Sequence, residues 1–100
     1  MSDWVYLQAN AAEELMQLHE FSMVKVQAAG NVKFGITVKE YAVAPPGQRV
    51  RFYAEADKEV NQKTAPFKPC GWGDSLFSAV GDCVRLIRQF PYEGEERAAQ

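Results

Sequence analysis

The sequence holds one histidine, His19, and two cysteines, Cys70 and Cys83, which leaves little material for a metal centre or a nucleophilic dyad. The cysteine separation and the remote histidine match no zinc-ligand spacing. There is little excess of charge of either sign: 11 Lys and Arg stand against 13 Asp and Glu, for a net charge of −2. That balance excludes a strongly basic nucleic-acid binder and a polyacidic nucleic-acid mimic, while leaving room for local patches. No apolar run approaches the ~18 residues of a membrane span. The opening residues lack the charged start and apolar core of a secretory leader. The expectation is therefore a cytoplasmic chain with both thiols free and no contact with membrane. Repeats and low-complexity tracts are also missing, and no cofactor signature is found.

What remains is ordinary globular material. Hydrophobic residues make up 47% of 100 residues, aromatics 12% and charged residues 24%, enough for one core without disulfides or metals. The expected organisation is a single α+β domain over residues 1–94, followed by a frayed tail over 95–100.

Residues 1–9 fit either a helix bearing Trp4 and Leu7 or a short edge strand. Asn10 and Glu13 resemble a capping box, and Ala11, Leu15 and Leu18 share a helical face, so a first helix is predicted from about residue 11. Three strands follow. Val24 and Val26 alternate with Lys25 and Gln27, and Ala29-Gly30-Asn31 supplies hairpin chemistry. Val32, Phe34, Ile36 and Val38 form the clearest period-two run, with a phase slip at Glu40-Tyr41 that predicts a bulge. After the Pro45-Pro46-Gly47 break, Val50, Phe52, Ala54 and Ala56 point one way, and Arg49, Arg51, Tyr53 and Glu55 the other. Residues 57–74 show neither period and read as a long loop. A second helix starts at Asp74 or Ser75 and carries Leu76, Val80, Cys83, Ile87 and Phe90 on one stripe until Pro91 stops it. Gly81, costly inside a helix, predicts a close approach to the sheet. The expected fold is α-β-β-β-α: a three-stranded antiparallel sheet with two helices on one face.

No residue pattern points to catalysis. His19 reads as a helix-end histidine, Cys83 as core, and Cys70 as a loop thiol. Gly71-Trp72-Gly73-Asp74-Ser75 precedes a helix as an anion-binding loop would, but it lacks the P-loop lysine and carries Asp74 in its place. The expected role is non-enzymatic protein binding through the loop aromatics, with Phe67, Pro69, Trp72 and Tyr92 as the binding residues. The alternative surface is the polar sheet face at Lys33, Arg49, Arg51 and Tyr53, suited to an acidic partner or nucleic acid. The oligomeric state is open, with a homodimer among the options.

Three resemblances attach to these residues. The predicted α-β-β-β-α order resembles the double-stranded-RNA-binding domain, which implies RNA contacts from lysines at the last helix; here that helix starts Gly73-Asp74-Ser75-Leu76 without one. Gly73-Asp74-Ser75-Leu76 with Ala79 is similar to the helix start of HicB-type antitoxins, which implies a regulatory role. The stretch from Gly71-Trp72-Gly73 through Cys83 to Phe90-Pro91-Tyr92-Glu93-Gly94 resembles the ends of small phage and prophage proteins. That likeness implies an accessory role in a mobile element, acting on a host or phage protein.

Overall fold

The structure, a computed structural model, describes residues 3–10, 12–28, 30–62 and 65–93. Six strands and one long helix follow a short 3-10 turn at Asp3–Leu7: β1 (Met16–Gln27), β2 (Gly30–Tyr41), β3 (Phe52–Ala56), β4 (Val60–Gln62), β5 (Ala65–Phe67), β6 (Cys70–Gly73) and α1 (Leu76–Gln89). Strands β1-β2-β3-β6 form an antiparallel sheet in that order, and β4-β5 make a separate small hairpin.

This corrects the predicted α-β-β-β-α order with two helices. The helix expected from residue 11 is absent among the described residues: from Met16 the chain is strand, paired with β2 along its whole length. Leu15 and Leu18 fit a helical stripe, but the neighbouring side chains serve two sheet faces. Odd-numbered residues of β1 lie on the α1 side and even-numbered ones on the open side, as their register against the buried Phe34, Ile36 and Val38 requires. Without the first helix, the topological likeness to the double-stranded-RNA-binding domain goes too. The loop expected over 57–74 instead contributes β4, β5 and β6. The tail over 95–100 lies outside the described residues.

The core is one layer between the sheet and α1: Phe34, Ile36, Val38, Ala54, Ala56, Val60, Ala79, Cys83 and Ile87 are all buried. The alternation at 32–38 and 54–56 supplies the sheet side, and Ala79, Cys83 and Ile87, four apart, supply the helix side. Ser75 caps the helix: its side chain accepts from the Ser78 N–H at 3.1 Å, and Ser78 Oγ accepts from the Ser75 N–H at 3.3 Å.

Glycines set how closely α1 lies on β6, though not the glycine expected. A Cβ on Gly81 would meet nothing within 4 Å, so it marks no close approach. A Cβ on Gly71 would come within 2.6 Å of the Ala79 carbonyl oxygen, and one on Gly73 within 2.6 Å of the Ala79 nitrogen and nearer still to Ser78 Oγ. Gly71 and Gly73 thus face the helix, which turns Cys70 and Trp72 to the opposite side of the sheet.

The phase slip at Glu40-Tyr41 is not a bulge. Pairing runs unbroken through Tyr41 on the β1 side, and the Tyr41 N–H donates to the Arg51 carbonyl at 2.8 Å. Tyr41 is buried on the open side of the sheet, where the Trp72 ring of β6 stacks on it.

Candidate functional site

The residues expected to form a binding patch are distributed over both faces of the sheet. Phe67 packs edge-on against Phe90 at 5.2 Å between centroids, and Tyr92 edge-on against Phe34 at 5.9 Å, both on the α1 side. Pro69 is fully buried, and its carbonyl accepts from Ala56 N–H at 2.9 Å and from Cys83 Sγ at 3.4 Å. Trp72 lies on the open face, stacked on Tyr41 at 6.3 Å and tilted against Tyr53 at 4.6 Å.

The alternative surface is likewise divided. Lys33 and Arg49 are exposed. Arg51 is engaged: its Nε donates to the Tyr41 carbonyl at 2.7 Å, and Nη2 lies 3.5 Å from Glu40 Oε2. Tyr53 donates its hydroxyl proton to Glu55 at 3.1 Å. Burial first, and then the neighbouring Cys70 and Glu55 side chains, push the Tyr53 phenol well above its ordinary range. Glu20 and Glu55 are interleaved with the lysines on this face, and Glu20 accepts the Thr37 hydroxyl at 3.0 Å.

His19 is a strand residue facing the α1 side rather than a helix end. Its Nε2 lies 2.9 Å from Glu40 Oε1, so Glu40 bridges His19 and Arg51. Among the described residues no group of three or more His, Cys, Asp or Glu is placed to hold a metal ion. Both cysteines are free. Burial first, and then the Cys70 charge, push the Cys83 thiol up to about 12, against a smaller opposing effect from a backbone hydrogen bond.

The surface that stands out chemically is one the sequence reading did not select. Strand β1 is an outer edge of the four-stranded sheet. The Ala42 N–H donates to the Leu15 carbonyl, which fixes the parity of the ladder: odd residues of β1 turn their N–H and C=O toward β2. The N–H and C=O of Met16, Leu18, Glu20, Ser22, Val24 and Val26 therefore point away from the sheet. The opposite edge, β6, is only four residues long, whereas β1 runs for 12 with no proline or bulge. Sheet edges are normally shortened, kinked or charged. Strand β1 is neither short nor kinked, and Glu20 is the single charge among its outward residues.

Four of its solvent-exposed side chains are large and apolar, beside exposed Gln17, Glu20 and Ser22. Leu18, Val24 and Val26 are exposed on the open face and Phe21 on the other. Beside Phe21, Leu76, Phe77, Val80, Gly81, Val84 and Arg88 line a groove of about 630 Å³. Phe77 at its rim is 87% exposed. The inward polar residues of the second half of β1 are spent internally: Lys25 Nζ donates to the Ile87 and Phe90 carbonyls, each at 2.7 Å, and Gln27 brackets Tyr92, accepting from its N–H and donating to its carbonyl. The apolar valines are left outside as a result. The signal in the sequence was the Val24-Lys25-Val26 alternation, with the faces the reverse of those expected.

No helix among the described residues is long and apolar enough to cross a membrane. In comparisons with known proteins, no family model, no curated protein and no solved structure matches the chain.

Proposed function

We propose that this chain acts by binding a protein rather than by catalysis, and that it does so along the free edge of β1 and the groove between β1 and α1. The observation that carries the reading is that Leu18, Phe21, Val24 and Val26, all exposed and all large, sit on the long edge strand of the sheet, with exposed Phe77 lining the same groove as Phe21. Singly exposed apolar residues are common, but four on one strand whose outward backbone groups lack a partner strand is the pattern of an interaction surface. Backbone groups on the edge supply generic affinity, and the flanking apolar side chains and groove supply selectivity. The open-face cluster of Tyr41, Tyr53 and Trp72 suits this role less, because its rings are packed on one another.

The test is site-specific photo-crosslinking in cells that express the full chain. A benzophenone side chain at Phe77 should give covalent adducts with protein, and one at Glu55 on the open face should give few. Adducts from position 55 alone, or capture of nucleic acid alone, would move the function to the other face.

A further inference from the structure

Resting on that reading of the β1 edge as a protein-binding surface, we infer that its occupant is a second copy of this chain, joined β1 to β1 in antiparallel register around Phe21. The inference comes from testing the strand against itself. In an antiparallel pair formed at this edge, the outward-pointing even residues must face one another, so only registers that match even with even can form. Centring the pair on Glu20 would set two Glu20 carboxylates directly opposite, a repulsive arrangement. Centring it on Ser22 would put Glu20 against Val24 and leave Met16 beyond the end of the partner strand.

Centring on Phe21 removes both faults. Met16 then faces Val26, Leu18 faces Val24 and Glu20 faces Ser22, so every exposed apolar residue on the open side of β1 acquires an apolar partner. On the α1 side, His19 faces Met23, Gln17 faces Lys25, and the two Phe21 rings meet at the symmetry axis. No like charges stand directly opposite on either face, and the two Glu20 carboxylates move apart to a diagonal separation of ~7–8 Å. The same operation sets the two Phe21-lined grooves side by side, because α1 packs chiefly over β3 and β6 and leaves the inner side of β1 at Phe21 partly open. Phe77 from each copy then stands at the rim of one continuous apolar channel. A two-fold contact needs a self-complementary patch, and this strand is self-complementary in side-chain type, in charge and in hydrogen-bonding parity. An unrelated extended peptide could use the edge, but nothing would then require β1 to match its own reverse.

Sedimentation equilibrium on the full chain tests the assignment. The wild type should form dimers. Leu18→Lys with Val24→Lys sets lysine against lysine in the proposed register and should weaken dimerisation by more than ~100-fold. Both positions are exposed, so the variant should keep its native circular dichroism spectrum. In a Cys70→Ser background, Phe21→Cys should give a symmetric disulfide between the two copies under mild oxidation, whereas Val43→Cys, exposed away from the edge, should not. A dimer unaffected by the lysine pair, or oxidised no more readily at position 21 than at 43, would overturn the register. A wild type that stays monomeric at its highest soluble concentration would overturn the second copy as occupant. Crosslinks from Phe77 to a different protein would then still support the broader binding reading, so the two failures are distinguishable.

Discussion

The Lys25 ammonium, carried on the edge strand, donates to the Phe90 carbonyl at 2.7 Å and so closes the C-terminus of a helix from 65 residues away in sequence. A second bond of the same length goes to Ile87. Both acceptors are among the carbonyls that a helix end leaves unpaired, and the cation also lies at the negative end of the helix dipole. Burial lowers the lysine pKa from its ordinary value. Lys25→Met should keep the stem and lose both charge-assisted bonds, lowering stability by about 2 kcal/mol. Urea unfolding gives the number, and a loss below ~0.5 kcal/mol would show that water replaces the ammonium without cost.

The glycines of β6 and α1 should separate cleanly. Gly71→Ala and Gly73→Ala push a methyl group into the backbone of α1 and should each cost about 1–3 kcal/mol. Gly81→Ala meets open space and should stabilise by up to ~1 kcal/mol through helix propensity. Thermal unfolding of the three variants checks the ordering, and equal losses at all three would contradict the packing described.

Stability should fall at high pH because of Cys83. Its thiol is held at about 12 in the folded chain, against ~8.5 when unfolded. The folded state thus keeps a proton that the unfolded state loses, and the contribution is complete below the unfolded value. It declines as pH rises through the window between the two. Urea midpoints between pH 8 and 11 (on the order of the window set by those values) should drop more steeply for wild type than for Cys83→Ala. Parallel slopes would mean that the thiol is open to solvent.

The open-face aromatics make a contrasting prediction. Trp72 is wedged against Tyr41 and Tyr53, so Trp72→Ala should cost about 3 kcal/mol of stability and leave photo-crosslinking from Phe77 in the folded fraction unchanged. Lost crosslinking with an unchanged melting temperature would instead make Trp72 a contact for the partner.

How legible these elements were follows from how many faces each one serves. Strands β2 and β3 and helix α1 each bury one face in the core, so Phe34, Ile36 and Val38, or Ala79, Cys83 and Ile87, carry a clean period. Strand β1 has no such constraint. Its inner side carries Lys25 and Gln27 to satisfy backbone groups at and beyond the helix end, its outer side carries valines, and the mixture in its first half reads equally well as a helix. Strand β6 is hidden because closeness to α1 demands glycine at both inward positions, and glycine signals a turn when read locally. Phe67, Pro69, Trp72 and Tyr92 were conspicuous as aromatic and proline residues between periodic segments, but chain proximity could not show that the sheet passes between Trp72 and the other three. The β1 edge was missed because an exposed edge is a property of strand order, and strand order is set by the β3-β6 pairing far along the chain.

Hydrogen exchange along β1 tests the central claim, that this edge is a paired surface in the working protein. Phe21 and Met23 donate toward β2 and should be protected at any concentration. The amides of Leu18, Glu20, Ser22 and Val24 point away from the sheet, so they are protected only if something pairs with them. In the full chain they should exchange slowly in concentrated solution and faster on dilution, with Phe21 and Met23 unchanged. Fast exchange of all four at every concentration, beside slow exchange at Phe21 and Met23, would show an edge that no second copy occupies.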